Sequence, residues 1–182
     1  VTTINIDRKT ATLDASLLGI DGKLEIGDSP WLTAYNDEQK AVIGHLKSQI
    51  DYKTDKYYLF VFKDGFETTK SIAGFMPLQR QFGFLFNGGL NSSEEGKGSL
   101  SGVAAHEIGH GVFALRHPFD QYGSKKESTY WLMDYKNGSL LSHMDWAQLH
   151  NPDLKFYVFQ DEEEGEIAGK IWFTPEWEPM KV

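Results

Sequence analysis

Cysteine is absent from the 182-residue chain. That excludes disulfides and thiolate metal sites together and leaves histidine and carboxylate as the strong ligand types. Long apolar runs are also missing: none approaches the roughly 18 residues of a membrane-spanning helix. Basic residues are outnumbered, 18 against 26 acidic for a net charge of −8. They nowhere cluster into a patch that could follow a phosphate backbone, so nucleic acid is not the expected partner. The loop over residues 91–98 lacks the Gly-Lys-Ser/Thr ending of a nucleotide cradle. The acidic run at 161–166 lacks the alternation of a calcium loop and reads as solvated. The chain opens on Val1-Thr2-Thr3, with neither Met nor a signal-peptide layout, and is expected to be an excised domain or mature fragment, part of a larger multidomain chain.

What is present is globular: 40% hydrophobic and 14% aromatic residues, in a length that suits one domain with a single substantial core. Residues 1–26 read as short alternating segments with turns at Gly19 and Asp21-Gly22, leading into the domain as a hairpin. Asp28-Ser29-Pro30 is a turn. Asn36 or Asp37 can cap a helix running to about Ile50, with Ala41, Val42, Leu46 and Ile50 as its buried stripe and His45 on its surface. Residues 57–62 are dense in aromatic and β-branched types and predict a buried strand closed by Asp64-Gly65. Further strands are expected near 71–75 and over 81–86, the latter ending at Asn87-Gly88-Gly89. Ser99 or Ser101 can cap the helix that follows.

That helix carries His106-Glu107-Ile108-Gly109-His110. Histidines four apart lie one helical turn apart and lean the same way, so two imidazoles can meet one metal ion with Glu107 alongside. Zinc takes such ligands in tetrahedral array with one position left for water, and a neighbouring carboxylate can take that water's proton. The bland alternative is a helix that happens to carry two surface histidines and a glutamate. Against it, Leu100, Val103, Ala104, Ile108, Val112 and Leu115 form an apolar stripe, with both histidines projecting from the far side towards a cleft or solvent. Glycines at 109 and 111 each cost about 1 kcal/mol against alanine inside a helix, which makes sense if something must approach the backbone there. A third histidine, His117, follows, and then Trp131-Leu132-Met133-Asp134-Tyr135.

The run from His106 to His117 with that methionine segment resembles the metzincin clan of zinc metallopeptidases, over roughly residues 57–150. The resemblance implies an α+β fold: a twisted mixed sheet with active-site and backing helices in an N-terminal lobe (about 1–116), and a small irregular C-terminal lobe with one helix (about 117–182). It implies His106 and His110 as ligands, Glu107 as general base, Met133 as the apolar floor under the metal, and Tyr135 as a group reaching the metal or the transition state. It also implies that the strand at 81–86 is the cleft-lining edge, able to pair with an extended peptide, with an ordinary sheet strand making no substrate contact as the equal alternative, and that the chain is similar to bacterial domains of larger secreted, surface or toxin-like proteins.

In one place the chain departs from the pattern: metzincins carry glycine at the position of Phe113 and the third ligand at that of Arg116. On an unbroken helix His117 would face the right way but lie about 16 Å along the axis from His106. The helix is therefore expected to end around Ala114 or Leu115, with the extra residue absorbed as a wider loop. Pro118 disfavours helical geometry at His117, and 119–126 reads as irregular. The third ligand is His117, with Asp120 and His143 as competitors. Ser142 and Asp145 look like the capping box of a helix ending near His150, and 156–159 could pair with 171–173. The expected activity is zinc-dependent hydrolysis of protein or peptide substrates. A zinc-binding interaction module or pseudopeptidase is the alternative.

Overall fold

The computed structural model describes residues 5–19, 21–26, 35–63, 66–86, 99–136 and 138–150. The turns expected at 28–30 and 64–65, the glycine pair after the 81–86 strand, the loop 91–98, Asn137, and the pairing and acidic run beyond His150 lie outside the described residues.

Four α-helices and a three-stranded mixed sheet make an α+β fold among the described residues. Helix α1 (Asp37–Lys47) starts on Asn36, whose side chain accepts from the Gln39 N–H while the Gln39 side chain accepts from the Asn36 N–H. This reciprocal cap satisfies two of the amides that a helix start leaves without partners. Its buried residues are Gln39, Val42, Ile43 and Leu46. Ala41 is exposed, and Ile50 lies past the helix end, so the inward stripe is set one residue differently from the expected one. The His45 ring contacts the Thr12 carbonyl at 2.8 Å and ties the N-terminal segment to α1.

Strands β1 (Tyr58–Phe62), β2 (Gly74–Phe75) and β3 (Phe82–Phe86) lie in the order β1-β3-β2. β1 runs parallel to β3 with Tyr58 opposite Phe82, and β2 runs antiparallel to β3 with Phe75 opposite Phe84. β3 is buried throughout. Paired on both sides, it is the central strand, which corrects the expectation that 81–86 forms the cleft edge; β2 is at the sheet edge. β1, expected to be buried, is mostly half-exposed, with Val61 55% accessible.

Alternation along β3 separates two environments, because successive side chains point to opposite faces. Phe82, Phe84 and Phe86 join Val42, Ile43, Leu46, Tyr35 and Leu24 in one core cluster, and their rings pack on Phe60 and Phe62 of β1 at centroid distances of 5.4–6.1 Å, stacked in three pairs and tilted between Phe60 and Phe84. Gly83 faces the other way, against Met76 and Leu59. The N-terminal residues enter the first core through the fully buried Leu24, which bridges in parallel to Thr68. They form a short 3-10 turn at Ala15–Leu17 and no hairpin among the described residues.

Helix α2 (Leu100–Phe113) packs on β2 and β3. Helix α3 (Pro118–Tyr122) replaces the irregular segment expected there: Pro118 opens it, since a first-turn residue needs no N–H. Helix α4 (His143–His150) begins at the anticipated capping box, with Ser142 and Asp145 exchanging two 3.0 Å hydrogen bonds. No helix among the described residues is long and apolar enough to cross a membrane.

Candidate metal centre

Ser99 caps α2 by accepting from the Gly102 N–H at 3.0 Å, and His106 and Glu107 follow, with His110 one turn beyond His106. The helix is most buried at Glu107, Gly109, His110 and Gly111, while the apolar residues Val103, Ala104, Ile108 and Val112 are only half-buried. His110 is 6% exposed. The histidines thus point into the protein and not towards open solvent, because a second layer of chain closes over them. The two glycines are where neighbours approach. A Cβ on Gly109 would stand 2.6 Å from the Met133 sulfur, and one on Gly111 would overlap the Met76 side chain. Two buried methionines therefore seat this helix, one from the sheet side and one from the segment after α3.

The helix ends at Phe113, and Ala114 adopts the left-handed conformation, φ 54° and ψ 27°. For a residue with a Cβ this costs about 1–2 kcal/mol. The N–H of Ala114 still donates to His110 O at 3.1 Å and that of Leu115 to Gly109 O at 2.9 Å. The chain then reverses and delivers His117 in extended geometry, φ −63° and ψ 138°. The helix thus ends where expected, next to Ala114, and the left-handed residue stands three positions before His117.

His106, His110 and His117 come together as a group that could hold a metal ion. Their Nε2 atoms are 3.1 Å (His110 to His106), 3.1 Å (His110 to His117) and 3.3 Å (His106 to His117) apart. Tetrahedral ligands at about 2.0–2.1 Å from an ion lie about 3.3 Å from each other, so the triangle fits. The outer ring nitrogens are all engaged: His106 Nδ1 with Leu132 O at 2.8 Å, His110 Nδ1 with Leu115 O at 2.7 Å, and His117 Nδ1 with Asp120 Oδ2 at 3.2 Å. Carbonyls and carboxylates only accept, so each Nδ1 carries the hydrogen and each Nε2 presents its lone pair inward. Burial pulls His106 down to about 4 and His110 and His117 below their ordinary range; the neighbouring rings depress His106 and His110 further, and the Lys126 charge adds to the lowering of His117. Three neutral donors then converge with no hydrogen between them, the arrangement a cation stabilises.

Glu107 is buried too. A Cβ on Gly74 would meet its Oε1 at 2.7 Å, so the glycine on β2 makes room for the carboxylate. Burial pushes it up to about 8, partly offset by the hydrogen bond from the Met76 N–H. Met133 is fully buried. Its turn is held by Asp134, which accepts from the amides of Glu127, Thr129 and Tyr135 and from the Thr129 hydroxyl at 2.7–2.9 Å. Tyr135 stands at the rim, 41% exposed, its ring centroid 5.8 Å from His106 and 4.9 Å from His117. Burial, then the charges of Glu107, Asp120 and Asp134, push its hydroxyl up to about 12.

Of the competing ligands, Asp120 orients His117 from outside the cluster, and His143 is exposed at the start of α4. Reasoning from the sequence missed Met76, Gly74 and Gln148. The paired glycines signalled close approach without naming what approaches. Gln148 carries no local signal at all. No family model matches the chain, and neither the curated proteins nor the solved structures contain a match.

Proposed function

We propose that this chain is a zinc-dependent endopeptidase in which His106, His110 and His117 hold the metal and Glu107 moves the proton. One observation carries the reading: three imidazole lone pairs converge at one point, with a buried carboxylate on the same helix. An all-imidazole set suits zinc, whereas calcium and magnesium require oxygen ligands. Three protein ligands are the number a catalytic site uses, leaving a fourth position open. Zinc bound there supplies a Lewis acid for the scissile carbonyl and lowers the pKa of water.

The chain's own part is proton transfer and orientation. Glu107, oriented by the Met76 N–H, would be held ionised by the charge of a cation beside it, and so could accept a proton from water and return it to the leaving amine. Three outer-nitrogen hydrogen bonds hold the imidazoles in one tautomer. Tyr135 at the rim keeps its proton at neutral pH and can donate it as a hydrogen bond to a developing oxyanion.

The test is metal content by mass spectrometry together with cleavage of unfolded casein with and without a chelator. The wild type should carry one zinc and lose activity on chelation, and Glu107→Ala should keep the zinc and lose cleavage. A protein without transition metal, or a Glu107→Ala variant that still cleaves, would sink the proposal. Zinc without cleavage of any peptide would favour a metal-binding interaction module.

A further inference from the structure

Gln148 sits on α4, 31 residues beyond His117 in the chain, yet its amide nitrogen lies 2.8 Å from the Phe113 carbonyl and 3.1 Å from that of Ala114. Carbonyls at a helix end have no intrahelical donor, and here one NH₂ group supplies both. The next carbonyl, Leu115 O, accepts from His110 Nδ1. Every carbonyl through the left-handed turn, from Phe113 to Leu115, is thus taken by a side chain, two by Gln148 and one by His110. The clamp itself is anchored, because α4 begins on the buried Ser142–Asp145 capping box.

We propose that Gln148 is a positioning residue for the third histidine: by bridging the Phe113 and Ala114 carbonyls it holds the left-handed turn closed, and so sets how tightly the three-histidine cluster retains a metal ion. The proposal rests on reading that cluster as a metal site. It accounts for a left-handed turn built on alanine and not on glycine. His106 and His110 are carried by the helix, whereas His117 depends for its place on the turn at Ala114 and the two residues that follow it. Loosening the turn therefore removes one ligand and leaves two. Only a donor serves at position 148: leucine has similar bulk without N–H groups, and glutamate would set a carboxylate against two carbonyl oxygens.

Zinc affinity is measured by competition with a chromophoric chelator for the full chain and its Gln148→Leu, Gln148→Glu and Ala114→Gly variants, with the Gln148→Leu/Ala114→Gly double variant. Gln148→Leu should bind zinc about tenfold more weakly, the scale of losses on removing a group that orients a ligand, and Gln148→Glu more weakly still. Ala114→Gly should restore most of the affinity to Gln148→Leu, because glycine adopts positive φ without steric cost. A role limited to packing α4 would not be rescued at position 114. Hydrogen exchange of the Leu115 amide, which donates to Gly109 O at 2.9 Å, reads the turn without metal and should accelerate in Gln148→Leu. Affinity within twofold of wild type in Gln148→Leu, or no recovery in the double variant, overturns the proposal. A wild type that binds no zinc overturns the metal reading instead. The clamp is then decided by exchange alone, upheld by acceleration and overturned by an unchanged rate.

Discussion

His110 Nδ1 lies 2.7 Å from the carbonyl oxygen of Leu115, five residues further along the chain. This one bond has two effects. It puts the ring hydrogen on Nδ1, so that Nε2 faces the other two histidines, and it ties the end of α2 to the segment that returns as His117. The position of one histidine and the tautomer of another are consequently coupled through the turn at Ala114.

Unequal roles around the cluster lead to a ranking. Alanine at His106, His110 or His117 should each reduce zinc affinity by several orders of magnitude, since two imidazoles do not complete a three-ligand site. Asp120→Ala, which removes only the acceptor for His117 Nδ1, should cost about 10- to 100-fold. His143→Ala should leave the affinity unchanged. Chelator competition at neutral pH gives all five values, and a His143→Ala loss matching that of His117→Ala would place the metal elsewhere.

Met133 is fully buried with its sulfur against Gly109. Truncation to alanine should destabilise the protein by about 2–5 kcal/mol through the cavity left behind. Leucine, close in volume, should cost less than about 1.5 kcal/mol. Urea denaturation of both variants measures the difference; equal and mild effects would mean that the methionine is not what seats the helix.

Gly111 sets a helix preference against a packing limit. Alanine would gain about 1 kcal/mol in helix propensity, but its Cβ would overlap the Met76 side chain, which is 1% exposed. Overpacking of this kind costs about 1–3 kcal/mol, so Gly111→Ala should be net destabilising. The penalty should shrink when Met76→Ala is present too. A strictly additive double variant, read from denaturation midpoints, would show that the two residues do not press on each other.

Proton linkage gives opposite slopes in two pH windows for the metal-free protein. His106 titrates at about 4 when folded against about 6.5 unfolded. Between those values the unfolded chain binds the extra proton, so stability falls as pH drops from 6.5 towards 4. His110 and His117, also lowered, act in the same sense. Glu107, raised to about 8 from 4.5, is reversed: its folded form holds the proton longer, and stability declines as pH rises from 4.5 to 8. Above pH 6.5 the histidine contribution is flat, which isolates the glutamate. From pH 6.5 to 8 the wild type should lose about 2 kcal/mol, and Glu107→Gln should lose none of it. Denaturant titrations at the two pH values check this, and parallel curves would contradict it.

Much of the centre was legible as spacing. Histidines four apart on a helix share a face whatever surrounds them, and the Ser142–Asp145 cap announces itself within four residues, because both are consequences of local backbone geometry. The Asn36 cap and the strand at 81–86 were readable for the same reason. What required the tertiary structure is whatever depends on a distant segment. β3 is central and not an edge because β1 and β2 pair on its two sides. His110 faces inward because the Met133 segment closes over the helix, and the Glu107 carboxyl is pushed up to about 8 because it is buried where the glycine at position 74 leaves room for it. The helix ends at Phe113 with Ala114 left-handed, and this turn is clamped by Gln148 from the distant helix α4. Local pattern determines which side chains leave a helix together; only long-range packing decides what they meet, since burial and hydrogen-bond partners are properties of the whole fold.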